Sequence, residues 1–297
     1  MTTLTAFSQE LSAIVAKVGD SVVAIHGNRY AASGLCWQAG LIVTSYESVN
    51  LEDPLYVTLP EGQSVEASVL GSDPTTDIAV LQLPPEAELP VPVMAELSTL
   101  GVGSIVLGLG RSPESGLFAS FGIVQTLGAA WRSSSGGIID RSIRADLTLR
   151  RSAAGGPLVD AEGKVIGFNT FGPRRSILTI PASTIQRVVS QLREKGRIAR
   201  AYLGIGMQSV KIPQALHGQL ASAQQHGLMV LSLEPDQAAE RAGILLGDIL
   251  VTLNDKPVED NRALQLLLGA QSIGQTMKVR FIRGGELRDL EVTVGER

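Results

Sequence analysis

Few side chains in this sequence could do covalent or proton-transfer chemistry, and the position most suggestive of it holds none. The segment Ser152-Ala153-Ala154-Gly155-Gly156-Pro157-Leu158-Val159-Asp160 reads as a tight Gly-Gly-Pro turn running into an apolar strand. A hydroxyl at 154 would be a nucleophile; the methyl of Ala154 cannot attack a carbonyl. Two carboxylates upstream, Glu47 and Asp77, could exchange protons. An unperturbed glutamate titrates near about 4.3, however, and cannot shuttle protons at neutral pH as an imidazole does. Ser48 and Ser152 put hydroxyls close by. His26 is the lone histidine of the first half, on a strand leading to a surface turn at Gly27-Asn28. The single cysteine, Cys36, rules out an internal disulfide and reads as a buried core thiol beside Trp37. No metal and no cofactor are expected.

The elements that must position these groups are short strands. The chain has 297 residues, enough for two domains that each bury a core. Hydrophobic residues at 44% and charged ones at 18% exclude a disordered chain. Glycine is abundant at 32 residues and aromatics are scarce at 4%, which favours tight turns between strands over helical bundles. A net charge of −4 gives no basis for nucleic-acid or anionic-membrane binding, and no apolar run reaches the length of a transmembrane helix. Met1–Lys17 has no basic, apolar or cleavage-site pattern of an export signal, so the expected compartment is cytoplasmic, or extracytoplasmic if a leader has been removed.

Phe7, Leu11, Ile14 and Val15 recur at helical spacing, giving a helix that stops at Gly19. Strand-like runs follow at Ser21–Ile25, Leu41–Thr44, Leu55–Leu59, Ala67–Gly71, Ala79–Leu83, Ser104–Leu107, Gly122–Leu127, Arg141–Ala145, Val165–Asn169 and Ile177–Ile180. Helix returns after Ser183, expected as its N-cap, with Ile185, Val188, Val189 and Leu192 on one face and Gly196 as its end. The mostly basic Arg193–Arg200 reads as a hinge.

Three strings carry a resemblance. Thr44-Ser45-Tyr46-Glu47-Ser48-Val49, Asp73-Pro74-Thr75-Thr76-Asp77-Ile78-Ala79-Val80-Leu81 and the turn around Ala154 are similar, in order and spacing, to the segments carrying histidine, aspartate and serine in HtrA/DegP-like serine proteases. The resemblance implies a trypsin-like double β-barrel over 1–196 in a mainly β chain. It places the base, the orienting carboxylate and the nucleophile at Glu47, Asp77 and Ala154, and the oxyanion loop at Ser152 and Ala153. Only Asp77 matches the family, and Ser152 replaces a glycine. Glu47 is expected to face Asp77 as a second carboxylate and push one of the pair to protonate. The expectation is therefore a protease fold that is no enzyme, provided no other hydroxyl lies against a proton acceptor beside the Gly155 bend. Asp77 would keep a turn-capping role.

Between Trp131 and Arg175 lie Arg132, Arg141, Arg144, Arg150, Arg151, Arg174, Arg175 and Lys164, a stretch of net +4 in a chain that totals −4. In the family these loops border the substrate pocket, so an acidic peptide or partner is a candidate ligand beside the default of a solvated surface.

The second half, 201–297, resembles the PDZ domain of HtrA proteins through Tyr202-Leu203-Gly204-Ile205 and the string Ala238–Asn254. The resemblance implies β-augmentation: a peptide C-terminus pairs beside Gly204–Met207, its carboxylate on backbone N–H groups of Tyr202–Gly204. A helix around 260–269 would form the second wall with Leu264, Leu267 and Leu268, selecting apolar C-termini. The expected function is peptide recognition by an inactive HtrA-like adaptor, regulator or holdase. The family implies a homotrimer, with an active relative as a further partner. The alternatives are a serine endopeptidase with a non-standard site, or a scaffold binding by surface alone.

Overall fold

The computed structural model describes residues 2–26, 31–50, 54–133, 135–172, 176–220, 224–269 and 272–297. It divides into two compact units, Met1–Ile198 and Ala199–Arg297. In the first, helix α1 (Thr3–Gly19) precedes strands β1 (Val22–Ile25), β2 (Ala32–Gln38), β3 (Leu41–Ser45), β4 (Leu55–Thr58), β5 (Ser64–Asp73) and β6 (Ile78–Gln82), which close an antiparallel barrel in the order β1-β2-β3-β6-β5-β4. Strands β7 (Ile105–Ser112) and β8 (Gly116–Gly128) begin a second barrel, and β9 (Trp131–Arg132) and β10 (Ile138–Ile139) form a small pair beside it. Strands β11 (Ser142–Asp146), β12 (Pro157–Asp160), β13 (Val165–Phe171) and β14 (Ile177–Pro181) complete that barrel, and α2 (Ala182–Lys195) follows. This is the double barrel expected from the sequence.

Three apolar layers hold the unit. Val23, Ile25, Cys36, Ile42, Val57 and Leu81 fill the first barrel, and Val106, Val124, Ile143, Leu158 and Ile166 fill the second. The largest core lies between them: Val22, Leu35, Val43 and Val80 meet Leu107, Phe168 and the apolar face of α2. Strands β1, β2 and β3 are therefore buried on both faces. That removes the alternation by which a strand is recognised. It is why β2, with Ser33, Gly34 and Cys36 in it, carries no strand signal in the sequence. Burial pushes the Cys36 thiol up to about 11, so it is an inert core group.

Helix α2 starts differently from expectation. Pro181 occupies the N-cap position with no side-chain cap bond, and Ser183 lies inside the first turn. The expected capping hydroxyl is displaced because β14 runs directly into the helix, while the neighbouring Thr184 hydroxyl accepts the Asp140 N–H at 3.0 Å. Gly196 ends the helix in a left-handed conformation, φ 68°. The Gly27-Asn28 turn lies outside the described residues.

The second unit is a small α+β domain. β15 (Ala201–Tyr202) pairs with β22 (Gly295–Glu296). β16 (Ile205–Lys211), β17 (His226–Leu233), β18 (Ile249–Leu253), β20 (Thr276–Arg283) and β21 (Glu286–Thr293) form a sheet in that order, with β19 (Lys256–Pro257) on β18. Helices α3 (Ala238–Arg241) and α4 (Asn261–Leu267) complete it. The Asp260 carboxylate caps α4 by accepting the Ala263 N–H at 2.7 Å.

One buried cation ties the first unit together. Arg111 on β7 donates to the carbonyls of Val22 at 2.6 Å and Gly19 at 2.9 Å, joining the second barrel to β1 and to the negative end of α1. Replacing Arg111 with Met keeps the apolar stem but leaves these carbonyls without their donor. We expect a loss of about 2–4 kcal/mol in urea unfolding; an unchanged midpoint would show that water substitutes for the guanidinium.

Candidate active site and peptide groove

Asp77 immediately precedes β6, in the turn at the seam between the barrels. Its backbone is left-handed, φ 59°, a conformation aspartate tolerates better than most residues. The carboxylate accepts the Ser45 hydroxyl at 2.9 and 3.0 Å, the Glu47 N–H at 2.8 Å and the Thr170 hydroxyl. Ser45 ends β3 and Thr170 lies on β13, so both barrels supply donors. Ser45 in turn accepts from the Ser48 hydroxyl at 3.1 Å, giving a series Ser48 to Ser45 to Asp77. Burial raises the Asp77 pKa above its ordinary value, and the hydrogen bonds from Thr170, Glu47 and Ser45 pull against that.

Glu47 departs from expectation. Its side chain is exposed, and it is its backbone N–H that reaches Asp77. Its charge is the last-ranked of the influences on Asp77, and desolvation the first. The two carboxylates do not form a proton-sharing pair, because the short turn Tyr46–Ser48 points the peptide, not the side chain, at the acid.

Ala154 is buried at the head of the turn. Gly155 follows with φ 84°, and an added Cβ there would lie 2.1 Å from the Ser33 carbonyl and 3.0 Å from the Ser45 nitrogen. Only glycine fits. Asn169 holds the turn from behind: its carbonyl accepts the Gly155 N–H at 2.8 Å and its side-chain amide reaches the Pro157 carbonyl at 3.1 Å. Ser33 holds it from the other barrel, donating its hydroxyl to the Ser152 carbonyl at 2.5 Å and its N–H to the Ala154 carbonyl at 2.9 Å. Arg151–Ala153 form a single 3-10 turn, so the N–H groups of Ala153 and Ala154 are consumed by the carbonyls of Arg150 and Arg151. An oxyanion would have to displace those bonds to be stabilised by Ala154 N–H.

The close approach of Ser45 to Gly155 matters. It is the Ser45 main-chain nitrogen that runs against the bend, while the Ser45 hydroxyl donates to Asp77. Ser45, Glu47, Ser48, Arg150, Arg151 and Thr170 all face a cleft of about 830 Å³. Arg174 and Arg175 lie outside the described residues. Ser45, Thr170, Ser33 and Asn169 are not singled out by the sequence; Ser45 sits inside a recognised string, whereas Thr170 arrives from a strand 93 positions away and has no local signature. Among the described residues no group of three or more His, Cys, Asp or Glu is placed to hold a metal ion, and no helix is long and apolar enough to cross a membrane.

In the second unit, Gly204 has φ 77°, and a Cβ there would strike Gln237 Cβ at 2.2 Å. The bend it permits carries Tyr202 and Leu203 into β16, which is the terminal strand of its sheet. Among the described residues no strand pairs with its outer edge, which offers backbone groups to a ligand, with Ile205 pairing inward to Leu233. Of the three expected groove leucines, Leu264 is buried in the core of the unit, while Leu267 and Leu268 are half-buried at its margin. The Tyr202 hydroxyl donates to Glu234, and Arg297 stacks over the Tyr202 ring at 5.1 Å.

Comparison with known proteins agrees with this geometry. A family model for the trypsin-like peptidase domain matches residues 32–168, and one for the PDZ domain matches 201–294. A probable periplasmic serine endoprotease, DegP-like, of Rickettsia conorii is 27% identical over 262 residues, covering 86% of this chain and 51% of that protein. The periplasmic serine endoprotease DegP of Escherichia coli is 30% identical over 257 residues, covering 83% and 52%. The putative serine protease HhoA of Synechocystis is 29% identical, covering 86% and 67%. A serine endoprotease structure from Yersinia pestis superposes with TM-score 0.70 at 26% identity, covering 96% of this chain and 97% of that one.

The chain thus carries a trypsin-like peptidase domain followed by a PDZ domain and is similar to DegP- and HtrA-type serine proteases. It spans about half the length of the DegP-like relatives it matches. These HtrA-type relatives are named serine endoproteases, which overturns the expectation that the chain is no enzyme: the comparison points to a protease.

Because burial raises the Asp77 pKa, the folded chain binds that proton more tightly than the unfolded one. The group therefore favours folding most below its unfolded pKa, and the contribution is lost as pH rises through the folded value. Carboxyl NMR should place the Asp77 midpoint above 3.8, and Asp77→Asn should flatten the pH dependence of stability across that window. A midpoint at or below 3.8 would mean the hydrogen bonds outweigh desolvation.

Proposed function

We propose that this chain is a PDZ-bearing endopeptidase of the HtrA type with a non-standard active site, acting on polypeptides that its PDZ domain selects by a free C-terminus. The named activity of the relatives supports the peptidase half. So does one local observation: two hydroxyls in series on a base that burial has strengthened, at the wall of a cleft. In this reading Ser48 Oγ attacks the peptide carbonyl carbon as its proton passes through Ser45 to Asp77. The proton then goes to the leaving amine nitrogen, and water hydrolyses the resulting ester. Position 154 contributes only the turn.

The same groups set the rate. The site lacks the imidazole that relays the proton in a triad, and the Ala154 N–H is already bonded. Loss of the standard nucleophile costs a triad serine protease about 10⁶ in turnover. Casein hydrolysis by the chain is therefore expected to be slow, abolished in Ser48→Ala, and exceeded by orders of magnitude in the Ala154→Ser, Glu47→His double variant. A fluorophosphonate probe should label the unmodified chain at Ser48. No hydrolysis and no labelling would overturn the peptidase half and leave polypeptide binding, as an adaptor or holdase, as the activity.

The PDZ half is supported by the left-handed Gly204 bend, the open edge of β16 and the half-buried Leu267 and Leu268, which favour an apolar terminal side chain. Self-association as a trimer, the family's habit, is supported by exposed apolar side chains on the first unit, where Phe7 packs edge-on against Phe121 at 6.0 Å and Leu4 is 80% exposed. Peptides ending in an apolar residue with a free carboxylate should bind, and their amidated forms should bind at least about tenfold more weakly, since a charge-assisted set of hydrogen bonds is lost. Equal binding of both forms, measured by fluorescence anisotropy, would refute recognition of the C-terminus.

A further inference from the structure

Of the basic residues between 131 and 175, the described structure brings two, Arg150 and Arg151, to the cleft. Others have different work: Arg132 donates to the Gly136 carbonyl at 2.9 Å and Arg141 to the Leu97 carbonyl at 2.6 Å. Arg150 is exposed, and its guanidinium lies over the Phe118 ring, 5.6 Å from the centroid. A ring face orients the guanidinium plane without accepting its N–H groups as a carboxylate would. Among the described residues Arg150 makes no ion pair. Leu147, Leu149 and Ile177 give the same cleft apolar surface, and Glu47 lies on the wall that carries Ser45 and Ser48.

We propose that this cleft selects extended polypeptide segments in which an acidic side chain lies beside an apolar one, with Arg150 taking the carboxylate and Arg151 adding positive charge to the same wall. The Arg150 guanidinium can meet it with charge-assisted, bidentate hydrogen bonds. Glu47 repels a second acidic residue from the hydroxyl wall, so a single acidic position next to an apolar residue is favoured over an acidic run. The proposal deepens the reading of the cleft as a polypeptide site and rests on it.

The test uses the full chain and C-terminally amidated decapeptides, which keep the PDZ carboxylate loop out of the measurement. One set carries Leu-Glu at its centre, a second Leu-Gln, a third Leu-Lys. The Leu-Glu peptide should bind about tenfold more tightly than Leu-Gln at low salt, and the difference should shrink as salt is raised. The Arg150→Glu, Arg151→Glu variant should reverse the order and prefer Leu-Lys, an outcome that misfolding cannot produce. Equal binding of Leu-Glu and Leu-Gln, or a variant with unchanged preference, overturns the proposal. Casein hydrolysis is read separately: acidic preference without hydrolysis sinks only the peptidase reading, and hydrolysis without acidic preference sinks only this one.

Discussion

A carboxylate taken out of water must be met by donors or give up its charge, and at Asp77 three donors from two chain segments converge to meet it. The end of β3 brings Ser45, the next turn brings the Glu47 N–H, and β13 of the second barrel brings Thr170. The seam between the barrels is thus polar at the cleft and apolar beneath, where Val43, Val80 and Phe168 pack. Hydroxyls and a peptide N–H satisfy the acid with no imidazole present. The site consequently keeps its shape although position 47 is a glutamate that turns away.

The same independence holds at the turn. Nothing that fixes Gly155 uses the side chain at 154: the left-handed backbone, the Asn169 bonds and the two bonds from Ser33 all act on main-chain atoms. Ser33 lies on β2 and receives the Arg111 N–H on the hydroxyl it gives to Ser152. One buried serine therefore couples the first barrel to the second and to the turn. A backbone held this way tolerates any small residue at 154, which is how a family turn can persist around an alanine.

The architecture was legible because it rests on local patterns: glycine-punctuated strands for the barrels, and strings such as Asp73–Leu81 and Ala238–Asn254 for the two domains. What escaped depended on burial or distance. β2 was hidden because both of its faces are covered, and Ser183 failed as a cap because β14 feeds straight into α2. Spacing could set Glu47 beside Asp77 but could not tell which of its atoms would face the acid. Thr170 and Ser33 reach the site only through the closure of the barrels, which no window of sequence contains. The inactive-site expectation came from weighing positions 47 and 154 alone, and it is the named activity of the relatives that overturns it.

These contacts also decide what kind of catalyst such a site can be. Rate acceleration needs interactions that strengthen in the transition state, whereas interactions made equally with bound substrate only hold it. On the proposed reading, Arg150, Arg151 and the apolar walls hold the bound polypeptide and so act on the ground state. The donor that would act on an oxyanion, Ala154 N–H, is bonded to Arg151 O. To use it, the 3-10 turn must open, and opening moves the very segment that carries Arg150 and Arg151. Ligand binding at the arginines and exposure of the donor are then two demands on one short turn. A ligand that grips the closed turn more tightly than the open one slows turnover, and one that prefers the open turn speeds it, in proportion to that difference in affinity.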